Sequence, residues 1–511
     1  MTPSEQSTKI LGLEKLAQQA EQSRRQGQKV VHCHGVFDLL HIGHIKHLEA
    51  AKKLGDVLVV TITPDRFVNK GPSRPVFTEQ LRAEAVAALG CVDFIAINQW
   101  PTAVETIRLL RPDIYAKGVE YRDAGKDITG KIVGEEAAVR EVGGRLAFTE
   151  DITFSSSHLI NRYSSAYPPE VRDYLAGFCG RHQAAEVLGY IEKAKTLKVL
   201  AVGEAILDEY QYCTAIGKSS KEPTLVVKSL SSEKFAGGIL AVANHLAEIC
   251  GTASVLTGLG ALNPQEEFVR AHLSDRVKPT FAYRKDAPTI VKRRLIENYF
   301  FMKLMEVYEI NDVDLDEADN RAFCDLLEAQ VPAHDAVVVV DYGHGLLSRE
   351  AIRILCEKSK FLAVNAQANA GNLGYHTISM YPRADFATMT ESEIRLEARD
   401  RRGDLRSMVK SVSDHIHCGR IAVTMGRFGC LCYGKEEGFI EVPAFASKVV
   451  DRIGAGDAFL SVAALCAAQG APLEVAGFVG NAAGAQAVAT VGNREPVGRV
   501  ALMKQVETLM K

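Results

Sequence analysis

Two histidines, His41 and His44, bracket a glycine in the run H-G-V-F-D-L-L-H-I-G-H at 34–44. The apolar residues before this run read as a strand. Those after it recur with helical spacing, so both imidazoles fall on one face at the start of a helix. A helix N-terminus carries unsatisfied N–H groups and the positive end of the backbone dipole, and both draw anions. Gly43 and Gly35 lack a Cβ, so a nucleotide can approach the backbone closely. Lys46 adds a cation. Attack on the α-phosphate of a triphosphate, with loss of pyrophosphate, puts charge on equatorial oxygens and on the leaving group. It needs positioned donors, not a covalent nucleophile. His41, His44 and the glycine between them are a set suited to that chemistry.

A second constellation lies far downstream, in D-R-I-G-A-G-D-A-F at 451–459. Gly454, Ala455 and Gly456 offer consecutive N–H groups at the opening of an Ala-rich helix, a concave anion site. Asp457 follows at once. A carboxylate there can take the proton from a hydroxyl that attacks a γ-phosphate.

The elements that must hold these residues follow from hydrophobic periodicity. A strand running into a turn is expected over 29–38, further strands at 56–63 and 92–97, and helices at 42–54 and 78–90, a β-α-β-α-β pattern that implies a parallel sheet covered on both faces. Around 163–175 the pattern fades into a Ser/Pro-bearing stretch. From 198 the alternation resumes, with strands expected at 253–257, 336–341, 361–364, 420–424 and 430–434 and helices at 457–469 and 473–489. A chain of 511 residues exceeds one core. The expected domains are 1–165 and 196–511, joined by a linker over 166–195.

The N-terminal motif resembles the cytidylyltransferase-like nucleotidyltransferases, whose signature is HxGH after a G-x-F-D turn. The resemblance covers about 29–163. It implies a Rossmann-like domain in which His41 and His44 stabilise the transferring phosphate, with Phe37 at the nucleotide and Asp38 at the substrate. N-K-G-P-S-R-P at 69–75 is similar to a basic loop over the phosphates, implying Lys70 as a catalytic residue and Arg74 as a nucleotide contact. Arg82 in E-Q-L-R then belongs to the substrate. R-P-D-I-Y-A-K-G-V-E-Y at 111–121 resembles a segment of heptose-phosphate nucleotidyltransferases and assigns Lys117 to the nucleotide. S-S-S-H-L-I at 155–160 does the same for Ser155 and Ser156, and hydroxyls opening a helix can hold phosphates.

Residues 196–511 resemble the ribokinase-like (PfkB) sugar kinases, an α/β fold with a small β lid. L-D-E-Y supplies Asp208 to sugar hydroxyls, and A-G-G-I-L-A-V-A-N supplies Gly237, Gly238 and Asn244. A-P-T-I-V-K-R-R at 287–294 resembles a lid segment and supplies Lys292. V-T-M-G-R-F-G at 423–429 places Gly426 and Gly429 beside the adenine, and Asp457 becomes the catalytic base. The middle departs from the family. His344 stands where close relatives have lysine, V-N-A-Q-A-N-A at 364–370 replaces a D-P-K segment, and in M-T-E-S-E only Glu393 matches. Asn365, Gln367, Asn369 and Asn372 form either a recognition cluster for a different ligand or an Asn-rich loop.

Together the two halves resemble bifunctional ADP-heptose synthesis enzymes with the domain order reversed. That implies nucleotidyl transfer from CTP or ATP to a sugar phosphate, and ATP-dependent phosphorylation of a sugar. Mg²⁺ is expected to arrive with the nucleotide, and no dedicated metal cage is expected. The alternative pairs a phospho-alcohol cytidylyltransferase with a catalytically degenerate, ligand-sensing kinase-like domain.

Bulk properties bound the partners. Hydrophobic residues are 47%, charged residues 24%, and net charge is -3, which is not the footprint of a nucleic-acid binder. No apolar run reaches the ~18 residues of a membrane span, so no membrane contact is expected. The 11 cysteines are scattered, without the paired CxxC spacing of a zinc site, and fit reduced thiols in the cytoplasm. A homodimer is the expected assembly.

Overall fold

The computed structural model describes residues 9–68, 74–119, 131–149 and 167–511. Its contacts divide the chain into two units, 1–168 with 503–511, and 169–502.

The first unit is built on five parallel strands: β1 (Val30–Gly35), β2 (Val57–Ile62), β3 (Phe94–Ile97), β4 (Ile114–Gly118) and β5 (Arg145–Thr149), in the order β3-β2-β1-β4-β5. A parallel sheet must be covered on both faces, so its strands are nearly continuous apolar runs. All six residues of β2 are buried. The helix Leu13–Arg25 packs Leu13, Leu16 and Ala20 onto Val30, Val57 and Val59. On the other face, Leu48, Ala83 and Val86 from the helices Ile42–Lys52 and Glu79–Ala87 meet Val31, Leu58 and Val60. The central strand β1 has β2 on one side and β4 on the other. The crevice above its C-terminal end is therefore the switch point where open α/β sheets take ligands.

The second unit has a nine-stranded sheet and a four-stranded one. The strands are β6 (Lys198–Gly203), β7 (Ala205–Lys218), β8 (Leu225–Gly238), β9 (Thr252–Gly260), β10 (Val277–Arg284), β11 (Ile290–Glu297), β12 (Met302–Glu309), β13 (Ala336–Asp341), β14 (Leu362–Ala366), β15 (Phe386–Thr390), β16 (Arg420–Thr424), β17 (Cys430–Gly434) and β18 (Gly438–Val442). The large sheet runs β10-β9-β6-β13-β14-β15-β16-β17-β18 and the small one β12-β11-β7-β8. The helices Ala455–Ala468 and Leu473–Ala487 are almost wholly buried. A Cβ on Gly480 would stand 2.9 Å from the Phe459 ring, so small residues let these two helices lie close.

The stretch 166–195 differs from the expected linker. It forms the helices Pro169–Arg181 and Ala184–Lys193. Phe178 is fully buried and stacks on Phe478 with centroids 4.1 Å apart, and Arg181 pairs with Glu474 at 2.6 Å. Its Ser/Pro signature is confined to the first few residues. Beyond Pro169, Val171, Tyr174 and Phe178 recur at helical spacing. Among the described residues, no helix is long and apolar enough to cross a membrane.

Candidate active sites

In the first unit the chain leaves β1 through a tight turn. Phe37 and Leu39 both take left-handed backbone, at φ 48°. A Cβ at Gly35 would lie 3.0 Å from the Phe37 ring, so glycine lets that ring fold over the strand end. The turn delivers His41 as the N-cap of the helix Ile42–Lys52. Its Nδ1 accepts the Gly43 N–H at 3.0 Å, and a neutral ring that accepts at Nδ1 carries its proton on Nε2. The backbone thus sets the tautomer and makes Nε2 a donor. The His41 and His44 rings stack with centroids 3.9 Å apart, and Phe37 presents its edge to His44 at 5.4 Å. Lys46 pairs with Glu49 at 2.7 Å. Lys117, on β4, lies 3.0 Å from Glu135 and over the Tyr115 ring. Lys70, Ser155 and Ser156 fall outside the described residues.

Two expected substrate contacts have other duties. Asp38 is 1% exposed; it accepts the Val76 and Phe77 N–H groups at 2.9 and 3.4 Å and lies 3.7 Å from the Arg74 guanidinium. It ties the 74–77 segment to the turn. Arg82 is also 1% exposed, and its guanidinium donates to the carbonyls of Val36, Thr63 and Phe77 and to Asp65. It is a brace between the ends of β1 and β2, spent on the backbone rather than on a ligand. Sequence reading passed over His32 and His34, which share the Thr61 hydroxyl at 2.8 Å each. Burial pushes His32 down to about 3, so it is neutral. The alternation H-C-H on a strand, which puts both rings on one face, was the available signal.

In the second unit a cavity of about 480 Å³ gathers Asp208, Lys292, Arg294, Tyr342, Gln367, Gly454, Gly456 and Asp457. Gly454 caps the helix Ala455–Ala468 at φ 81°, where a Cβ would strike the Asn493 side chain at 2.0 Å. Asp457 sits in the first turn of that helix. The Tyr342 hydroxyl and the Gln367 amide point donors at it from 3.4 and 3.5 Å. Burial, then the nearby Asp208 charge, raises its carboxyl to about 7. Asp208, on β7, pairs with Arg294 on β11. Gly237 makes room for this: a Cβ there would stand 2.0 Å from Asp208 Oδ2. Gly238 also lines the cavity, at φ 57°. Lys292 opposes Asp208 across the strand pair and rests over the Tyr308 and Tyr342 rings; burial lowers its pKa.

Asn244 is not at the cavity. Its amide donates to the His272 carbonyl at 2.9 Å and accepts the Ser274 N–H at 2.9 Å, fixing a neighbouring turn instead of a sugar. Gly426 and Gly429 shape the turn after β16, at φ 59° and 90°; Gly429 is pressed against the Val442 carbonyl, and Gly426 faces open space. The polar cluster divides. Asn365, Gln367 and Asn369 line the cavity, whereas Asn372 donates to the Tyr342 carbonyl and accepts the Asn369 N–H. Sequence reading missed Arg294, although it lies two residues beyond Lys292 on one strand and so shares its face. It also missed Glu204, a buried carboxylate that accepts the Tyr342 and His344 N–H groups at 3.0 Å each. Burial and the adjacent Asp341 raise its pKa.

Residues 196–498, more than half of the sequence, match the model of the pfkB family carbohydrate kinases. The chain belongs to the pfkB family. Residues 32–165 match the cytidylyltransferase-like model, so a cytidylyltransferase-like domain precedes the pfkB domain. Among curated proteins, it is similar to "Bifunctional protein HldE" of Syntrophotalea carbinolica, 39% identical over 168 residues and 32% of each chain. The HldE protein of Magnetococcus marinus is 44% identical over 146 residues, 28% of this chain and 30% of the relative. The chain thus spans about a third of the length of the curated relatives it matches. Similar solved structures include phosphofructokinase-2 from Escherichia coli in complex with potassium, at 18% identity and TM-score 0.49, covering 62% of this chain and all of that one. Ribokinase of Arabidopsis thaliana complexed with ribose and ATP follows at 15% identity and TM-score 0.46, covering 62% of this pfkB chain and 99% of the other.

Proposed function

We propose that the chain makes a sugar nucleotide with its first unit and phosphorylates a sugar with its second. The stacked pair His41–His44 at the mouth of β1 carries this reading. A sugar-phosphate oxygen attacks the α-phosphorus of CTP or ATP, and pyrophosphate leaves. The His41 Nε2–H, held as a donor by the Gly43 N–H, meets charge that develops on the phosphate oxygens. The matches to HldE proteins support a heptose-1-phosphate-like acceptor.

In the second unit a sugar hydroxyl gives its proton to Asp457 as its oxygen bonds the γ-phosphorus; the β–γ bridging bond breaks and ADP leaves. The placement of Asp457 and Asp208 on one cavity supports this. Among the described residues, no three His, Cys, Asp or Glu side chains gather as a metal site. Mg²⁺ carried on the nucleotide phosphates would neutralise their charge.

The test uses the full chain. Pyrophosphate release is followed with CTP and ATP against heptose 1-phosphate and glycerol phosphate, and ADP release with ATP against a sugar panel. Activity on heptose 1-phosphate, lost in His44→Ala, is the expected result. Turnover of glycerol phosphate alone would make the first unit a phospho-alcohol enzyme.

A further inference from the structure

The segments at 344 and 364–370 do not carry the lysines that the family resemblance leads one to expect, and among them Asn365, Gln367 and Asn369 line the cavity in the second unit. His344 is 1% exposed, and burial lowers it to about 4, so it is neutral at pH 7. Asn365, Gln367 and Asn369 are uncharged amides. Glu393 and Asp457 on the same lining are acids, yet a nucleoside triphosphate brings about four negative charges that fixed donors must meet.

Three cationic side chains line the cavity: Lys292, Arg294 and Arg452. Arg294 is committed to Asp208 and Glu306. Lys292 rests over two tyrosine rings beside Asp208. Both belong to the Asp208 wall. Arg452 differs. It is exposed, and no ion pair or side-chain hydrogen bond joins it to another described residue. It stands two residues before Gly454, at the entrance to the anion turn. Its backbone is held by its neighbour: Asp451 accepts from Tyr210 at 2.5 Å, Lys303 at 2.7 Å, the Gly492 N–H at 3.0 Å and the Ile453 N–H at 3.2 Å. A pinned main chain thus carries an uncommitted guanidinium at the cavity's edge. The planar fork of arginine suits two phosphate oxygens at once.

We infer that Arg452 clamps the terminal phosphates of the triphosphate, supplying the charge that the altered segments at 344 and 364–370 do not. The inference rests on the kinase reading. Arg452 forms no covalent bond in the step. It orients the γ-phosphoryl group and meets the charge that builds as the bridging oxygen leaves with ADP.

Initial rates of ADP formation by the full chain test it, with the KM for ATP, kcat and the inhibition constant for ADP. In Arg452→Ala, kcat/KM for ATP should fall about 10- to 100-fold, the scale of one lost charge-assisted bond. ADP, which lacks the γ-phosphate, should inhibit within about 2-fold of the parent. Arg452→Lys should recover part of the loss and Arg452→Gln little of it, with thermal unfolding unchanged in all three. An active parent whose Arg452→Ala and Arg452→Gln variants keep their rate, or lose ATP and ADP equally, overturns the assignment and leaves the kinase reading intact. A parent that forms no ADP with any sugar removes both.

Discussion

As the proposed base, Asp457 must be ionised to accept a proton, and its surroundings resist that. Burial and Asp208 place its pKa at about 7, so the carboxylate fraction grows as pH rises through neutrality. Phosphoryl transfer should therefore climb with a midpoint near 7 and level off above it; a profile already flat from pH 5 would contradict this. Asp208→Asn removes the like charge, and the midpoint should move to lower pH. In the first unit, His41→Ala or His44→Ala should cut nucleotidyl transfer by ~10²–10³ with an unchanged unfolding transition. These residues were legible because each motif joins reactive groups to the glycines that make room for the ligand. Arg82 and Asn244 were not. A cation or amide in a motif reads the same whether it faces ligand or backbone, and only burial and bonding partners tell the two apart.

Among the elements, regular periodicity placed about half of the strands to within a few residues, β13 and β16 among them, but left the whole small sheet, β12-β11-β7-β8, and most helices unmarked. The linker was misread because a short Ser/Pro signal outweighed a weak apolar stripe. That error has a measurable counterpart. Phe178→Ala removes a ring buried against Phe478 and should destabilise the second unit by about 3–5 kcal/mol in denaturant unfolding. A true linker would lose nothing. Arg82→Ala takes the shared donor from three carbonyls, that of Thr63 buried, and from Asp65. It should cost the first unit about 3–5 kcal/mol, and Arg82→Lys should recover only part, since one ammonium cannot span four acceptors.

At the scale of the whole chain, His41 and His44 lie in the first unit and Asp208 and Asp457 in the second. The two proposed activities should be separable by point changes. Asp457→Asn should silence ADP release yet leave pyrophosphate release within about 2-fold, and His44→Ala should do the reverse. Loss of both signals from either change would mean that the two chemistries depend on one another.

The hollow that Gly237 leaves for Asp208 has an evolutionary side. Nineteen of the twenty amino acids would push into the space of that carboxylate, so drift at codon 237 has almost nowhere to go. A saturation library selected for sugar phosphorylation should return one letter there. Descendants released from the kinase step should betray it at this codon before their fold shows any trace.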